Sequence, residues 1–255
     1  MSAVTPAIIK AILQLQALPI ISKFTLGGGT NLALQFNHRI SDDIDFFYAE
    51  IIGKEGFKNI ENEVKNYFGD KAKNFDDPCD INDQYCFLRF FLDLDDSTTI
   101  KVEFLQNMKN LFDLEVSQGV NLLSKKDIGL FKLISASNRS TKKDIYDLDF
   151  ITDTISLVDL YECLKIKTLK FNKEEHKTIF DLSRNNTPVD NPELLLKFDN
   201  NSDYSKFPSH TNDTIKIIDG SKTWIEAKIS WRSKVRKLYN HLGKDFPGPK
   251  GIKIK

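Results

Sequence analysis

Three glycines, Gly27, Gly28 and Gly29, precede Thr30, and two aspartates, Asp43 and Asp45, follow with Ile44 between them. Residues two apart on a strand send their side chains out by the same face, so Asp43 and Asp45 share one side while Ile44 and Phe46 point into a core. Two neighbouring carboxylates repel unless something positive lies between them. A hard divalent cation, Mg²⁺ or Mn²⁺, does that best, because it accepts carboxylate oxygens together with substrate phosphates. Glycines opening a short helix offer backbone N–H groups to a phosphate, and Thr30 adds a hydroxyl. A third acid stands at strand spacing. In residues 98–105, Ile100, Val102 and Phe104 alternate with Thr99, Lys101 and Glu103. If this strand lies beside the aspartate strand, Glu103 completes a three-carboxylate cluster. Such a cluster can hold two metals about 3.5–4 Å apart and stabilise an in-line phosphoryl displacement. Alone, a glycine turn is usually a turn and an Asp-x-Asp pair a solvated strand end. Their order and spacing together make the pattern specific.

The elements that must position these residues are legible from periodicity. Thr5-Pro6 is a helix start, and Ile8, Ile9, Ile12, Leu13 and Leu15 follow at helical spacing over 5–18. A strand is expected at 22–26, a short helix at 30–36, a strand at 43–48 and an amphipathic helix at 56–68. Residues 84–92 and 98–105 read as a hairpin turned at Asp95, Asp96 and Ser97. After Leu123 the pattern becomes helical. Ser124 with Asp127, and Thr141 with Asp144, resemble capping boxes with Asp in place of Glu. Helices are expected over 157–164, 173–182, 192–198 and 221–242, a polar loop at 203–213 and a flexible tail at 247–255. The reading is α+β: a mixed sheet with flanking helices over 1–122, then a mostly helical domain over 123–255 that ends in a basic helix and tail.

Composition narrows the class. The chain has 255 residues, 40% hydrophobic and 28% charged, which excludes disorder throughout and a collagen-like or disulfide-scaffold class. No stretch reaches the roughly 18 apolar residues of a membrane helix, and no signal peptide is evident, so a cytoplasmic protein is expected. Three cysteines, Cys79, Cys86 and Cys163, lack metal-like spacing and read as free, mostly packed thiols. Zero net charge hides a division. Residues 221–255 hold ten Lys or Arg against Glu226 and Asp245, so this tail carries +8 and the first 220 residues −8. An acidic body suits cations, and a basic tail suits a polyanion.

Residues 26–47, with Gly28, Gly29, Thr30, then His38-Arg39, then Asp43 and Asp45, resemble the nucleotidyltransferase AbiEii/AbiGii toxin family of the polymerase-β-like nucleotidyltransferase superfamily. The family's second motif, Lys-x-Asp on a strand, is similar to Lys101-Val102-Glu103, with Glu in place of Asp. A third region resembles Lys132-Leu133 with Arg139, and a fourth, Asp-x-x-Asp, resembles Asp144 to Asp147. All four occur in order between residue 20 and about residue 152.

The resemblance implies a polymerase-β-like fold and a toxin that moves a nucleoside monophosphate from a nucleoside triphosphate to an acceptor hydroxyl. Gly28, Gly29 and Thr30 would hold the phosphates. Asp43, Asp45 and Glu103 would bind metal, and Lys132 and Arg139 would neutralise phosphate charge. An RNA acceptor, with tRNA 3′ ends foremost, and a cognate antitoxin are the implied partners. A protein or small-molecule acceptor, or a non-catalytic nucleotide- or RNA-binding module, are the alternatives. Arg39 either pairs with Asp42 or Asp43 or touches the nucleotide. Lys101 reads as an ion-pair partner of Glu103. Asp144 and Asp147 lie three apart on one helix face, serving either the site or a cap. His176, His210 and His241 read as solvated or capping. Lys228, Arg232, Lys234, Arg236 and Lys237, interleaved with Trp224, Trp231, Val235 and Leu238, make either a packed amphipathic helix or an RNA-backbone surface.

Overall fold

The computed structural model describes residues 2–139, 141–182, 186–199 and 214–248 of the chain. The expected loop at 203–213, His210 and the tail beyond 248 lie outside the described residues. Thr5 caps α1 (Pro6–Gln16), its hydroxyl accepting from the Ile8 amide at 3.3 Å, and Ile8, Ile12 and Leu15 are buried. Helical turns then run to Phe24 through Ile21 N–H to Leu18 C=O and Phe24 N–H to Ile21 C=O. They consume residues expected to be extended, and β1 is only Thr25–Leu26. There follow α2 (Gly28–Phe36), β2 (Asp43–Phe47), α3 (Gly53–Phe68), β3 (Ala72–Asp76), β4 (Phe87–Asp93), β5 (Thr99–Leu105), β6 (Glu115–Ser117) and β7 (Val120–Leu122). The strands β3, β6 and β7 were not expected. They are short, and the two outer ones, β3 and β6, bury few of their residues, so periodicity carries little of them.

One mixed sheet of seven strands results, in the order β3-β4-β5-β2-β1-β7-β6. The expected hairpin forms as the antiparallel pair β4–β5. The next neighbour of β5 is β2, running parallel, with Asp43 opposite Lys101 and Asp45 opposite Glu103. Ile44 and Phe46 of β2 and Ile100, Val102 and Phe104 of β5 face one side, where they pack with Ile12 of α1 and Phe57 and Ile60 of α3. The other side carries Phe47 and Leu105, which join Leu32 of α2 and the C-terminal helices in a second core. Fully burying a large apolar side chain contributes roughly 1.5–3 kcal/mol, so the alternation along β2 and β5 commits their acids to the helix-covered face.

Those helices are α4 (Lys125–Arg139), α5 (Lys142–Ile151), α6 (Leu157–Lys170) and α7 (Trp224–His241). Ser124 caps α4, accepting from the Asp127 amide at 3.0 Å. The Asp127 carboxylate accepts from Leu111 and Phe112 amides at 2.8 and 3.1 Å and so ties down the preceding loop. The Thr141 box does not close, because Asp144 is drawn to cations of α4. Thr223 and Glu226 close a full capping box at the start of α7. Trp231 is fully buried and donates from Nε1 to Leu195 C=O at 2.9 Å. Lys234 reaches Asp149 and Asp153, both at 2.7 Å, and Lys222 reaches Asp149 at 2.6 Å. Packing therefore occupies part of the expected basic surface.

Three further expectations fail. Residues 173–182 are not a helix but two 3₁₀ turns, Glu174–His176 and Ile179–Asp181. The cause is distant in sequence. Side-chain amides of Gln84 and Asn107 capture the carbonyls of Glu174, Glu175 and Lys177 that a helix would need. Residues 192–199 are likewise 3₁₀. Cys79 and Cys86 are not free thiols but a disulfide; the loop between them, turned at Asp83 with φ of 58°, brings their Cα atoms to 4.1 Å. Cys163 is the free cysteine among the described residues.

Candidate active site

The loop from β1 into α2 passes directly over β2. The Gly27 amide donates to Asp45 C=O at 2.7 Å. Gly28 has φ of +60°, and a Cβ there would lie 1.8 Å from Asp45 Oδ2. A Cβ on Gly29 would lie 2.4 Å from an Arg39 nitrogen. These glycines are therefore required by close approach, and they set the N-terminus of α2 against the aspartates. Thr30 is buried; its hydroxyl contacts Ser41 Oγ at 3.0 Å and Asp43 C=O, bracing α2 on β2. Asn31 completes the brace, donating to Leu26 and Leu123 carbonyls at 2.8 and 2.9 Å.

Asp43, Asp45 and Glu103 stand on one face, as register requires. Burial, then Glu103 and Asp43, push the Asp45 carboxyl up to about 7, against the pull of Lys101 and Lys132. Asp43 is raised too, mainly by burial. Such a pair fits a hard cation, because it is short of positive charge. Glu103 differs. Burial would raise it, but Lys101 and Arg89 hold it below the ordinary glutamate value. Arg89 contacts Oε1 at 2.6 Å and Lys101 contacts Oε2 at 2.8 Å. Lys101 is thus the ion-pair partner expected. Arg89 was not foreseen, although the hairpin register that sets it opposite Glu103 holds the signal. The three carboxylates do not converge as they stand. Among the described residues, the group of three or more His, Cys, Asp or Glu ligand atoms all within 4.8 Å of one another is that of Cys79, Asp83 and Cys86, whose sulfurs are already bonded.

Beside the acids lies a buried ionic network. Arg39 grips Asp147 with two nitrogens at 2.6 and 2.8 Å, so its partner is neither Asp42 nor Asp43. Lys132 bridges Asp144 at 2.8 Å and Asp147 at 2.7 Å. Arg139 reaches Asp144 at 3.1 Å, and Thr141 donates to it at 2.8 Å. His38 is sealed against Tyr146 and Phe150. Burial lowers its pKa despite Asp147, so the ring is neutral and donates Nε2–H to Asp147 at 2.8 Å. Burial opposes ionisation of Asp144, but Arg139 and Lys132 outweigh it and bring that group to about 2. Asp147 is likewise held well below the ordinary aspartate value, Arg39 and Lys132 outweighing its burial. Three cations against two carboxylates leave one positive charge beside the aspartates. Asp144 and Asp147 thus hold Lys132, Arg39 and Arg139 in place.

Both groups open into a cleft of about 990 Å³, lined further by Phe131, Lys143, Lys167, Phe171, Lys177 and Lys216. Phe131, Lys167, Phe171, Lys177 and Lys216 left no mark in the sequence. No described helix is long and apolar enough to cross a membrane.

The fold is similar to that of MenT4, nucleotidyltransferase toxin Rv2826c from Mycobacterium tuberculosis H37Rv, with a TM-score of 0.51 and 15% identity over 95% of this chain and 85% of that one. In sequence the chain is 30% identical over 148 residues to the uncharacterized protein aq_aa25 of Aquifex aeolicus (strain VF5). That match takes in 56% of this chain and 64% of the relative, so the chain spans just under two thirds of the relative's length. Residues 13–217, which hold the glycine loop, the acids and the ionic network of the cleft, match the family described as nucleotidyl transferase AbiEii toxin, Type IV TA system, and the chain belongs to that family.

Proposed function

We propose that the chain transfers a nucleoside monophosphate from a nucleoside triphosphate to an acceptor hydroxyl, as the toxin of a toxin–antitoxin pair, with RNA as the acceptor. One observation carries the reading. Asp43 and Asp45 share one face with Glu103 of the parallel neighbouring strand, directly under the glycine-opened N-terminus of α2.

Backbone N–H groups at Gly28 and Gly29 bind the terminal phosphates. The surplus charge of the Arg39, Lys132 and Arg139 network offsets the charge of the leaving pyrophosphate. Asp43 and Asp45, with Glu103 beside them on β5, would hold Mg²⁺ or Mn²⁺, which would supply a Lewis acid to the attacking hydroxyl and the α-phosphate. Lys101 and Arg89 hold Glu103 in place beside the aspartates, and the Phe47 and Phe131 wall excludes water from one side. The cleft is wide enough for a nucleotide and the end of an acceptor. Lys109, Lys177 and Lys216 at its rim pair with the exposed acids Glu50, Glu174 and Asp42. Such pairs are worth little and exchange readily for RNA phosphates.

The test is label transfer: protein, Mg²⁺ or Mn²⁺, each α-labelled nucleoside triphosphate in turn and total RNA, with Asp45→Ala as control. Label on RNA from one nucleotide, lost in the control, supports the reading. Label on protein or a small molecule changes the acceptor. Nucleotide binding without any transfer makes the chain a binding module, the reading that the ion pairs on Glu103 favour.

A further inference from the structure

Lys167 of α6 is buried at 8% exposure, yet its ammonium has no hydrogen-bond partner. It sits 3.5 Å from the centre of the Phe131 ring and lines the cleft with Leu164 and Phe171. Burial brings its pKa down to about 8, with Asp127 alone opposing. A buried donor left unsatisfied is costly and calls for an explanation, and here the cleft beside it has room for a ligand atom.

A continuous floor joins this lysine to the acids. Phe47 lies two residues beyond Asp45 on the same face of β2, about 7 Å along the strand. The ring of Phe47 also touches the phosphate loop, since a Cβ on Gly27 would lie 2.7 Å from it. Phe131 stacks edge-on against Phe47 at 5.5 Å, and Lys167 caps Phe131. Phosphates are provided for at one end, by Gly28, Gly29 and the Arg39–Lys132 network. The walls around Lys167 are aromatic and aliphatic, which suits the planar faces of a base and not a phosphate.

We propose that Phe131, Phe171 and Lys167 form the nucleobase seat, with Lys167 donating to an exocyclic carbonyl oxygen, so that the chain selects cytosine, uracil or guanine nucleotides over adenine nucleotides. The inference rests on the nucleotidyl-transfer reading and deepens it by naming the class of donor base. Lysine can only donate. Adenine offers such a donor only ring nitrogens and carries an amino group at its exocyclic position, whereas each of the other three bases presents an exocyclic carbonyl oxygen, the more strongly accepting atom.

The experiment is equilibrium binding of CTP, UTP, GTP, ATP and tripolyphosphate, each with Mg²⁺, to the full chain and to Lys167→Met and Lys167→Gln. Met keeps the stem and removes a buried charge, and circular dichroism checks that both variants fold. The native chain is expected to prefer a carbonyl-bearing nucleotide over ATP by roughly 10- to 100-fold, as one charge-assisted hydrogen bond allows. Lys167→Met should abolish most of that preference, Lys167→Gln should keep part of it, and tripolyphosphate binding should not change. Equal weakening of tripolyphosphate would make Lys167 a phosphate ligand and overturn the proposal. So would an unchanged ranking in Lys167→Met, a native preference for ATP, or no binding of any triphosphate. A chain that binds with the lysine-dependent preference but never transfers label would sink the transfer reading and leave the base seat standing. Transfer with a ranking independent of Lys167 would do the reverse.

Discussion

Replacing Asp45 by Asn should stabilise the metal-free protein. The Asp45 carboxyl is pushed from 3.8 to about 7, chiefly by burial and by Glu103. At 1.36 kcal/mol per unit this is a cost of roughly 4 kcal/mol to the ionised folded state. The group is half-buried and solvent screens part of the repulsion, so about 2 kcal/mol is the working figure. The sign follows from linkage. Below the ordinary aspartate pKa the group is protonated in both folded and unfolded states and costs nothing. As pH rises from about 4 through about 7 the unfolded chain ionises first, and the native protein loses that stability. Asn carries no such cost. Thermal unfolding in EDTA should therefore place Asp45→Asn about 4–8 °C above the native chain near pH 8, given roughly 2–4 °C per kcal/mol at this size. The gap should close near pH 4, and Mg²⁺ should raise the melting temperature of the native chain more than that of the variant. Equal melting temperatures near pH 8, or a gap of the same size near pH 4, would refute the view that these acids are held short of positive charge.

Asp147→Ala strips Arg39, Lys132 and His38 of a shared buried partner and should cost roughly 3–5 kcal/mol in urea unfolding. Asp144, held at about 2, contributes stability that is present above the ordinary aspartate pKa and lost as pH falls from about 4 to about 2; Asp144→Asn should flatten that stretch of the acid-unfolding profile. Gly28→Ala, whose Cβ would lie 1.8 Å from Asp45 Oδ2, should leave the circular dichroism spectrum native while lowering label transfer by about 100-fold, the scale of a misplaced reacting group. Thiol titration of the unfolded, unreduced protein should count one reactive cysteine, rising to three after reduction.

Period and local chemistry were enough for the elements that carry the site. The alternation Asp43-Ile44-Asp45-Phe46 and its counterpart from Thr99 to Glu103 can satisfy a core in only one way, so the acids had to share a face. The Thr5-Pro6 start and the Thr223–Glu226 box are local hydrogen bonds, equally readable in one dimension. The order of glycines, aspartates, Lys132 and the Asp144–Asp147 pair was likewise enough to suggest the family. Pairing across distance was not readable. That Arg39 would hold Asp147 and not Asp43 depends on which strands and helices become neighbours. The turns at 174–181 show the same limit. Their sequence favours a helix, but amides from Gln84 and Asn107 take the carbonyls the helix requires. Lys167 is the extreme case. On its helix it is an ordinary lysine near the C-terminus, and only the packing of Phe131 and the cleft wall around it makes it a buried donor without a partner. The residues that name the chemistry lie close together in sequence, whereas the charges that tune it are assembled by burial, and burial is a property of the folded chain alone.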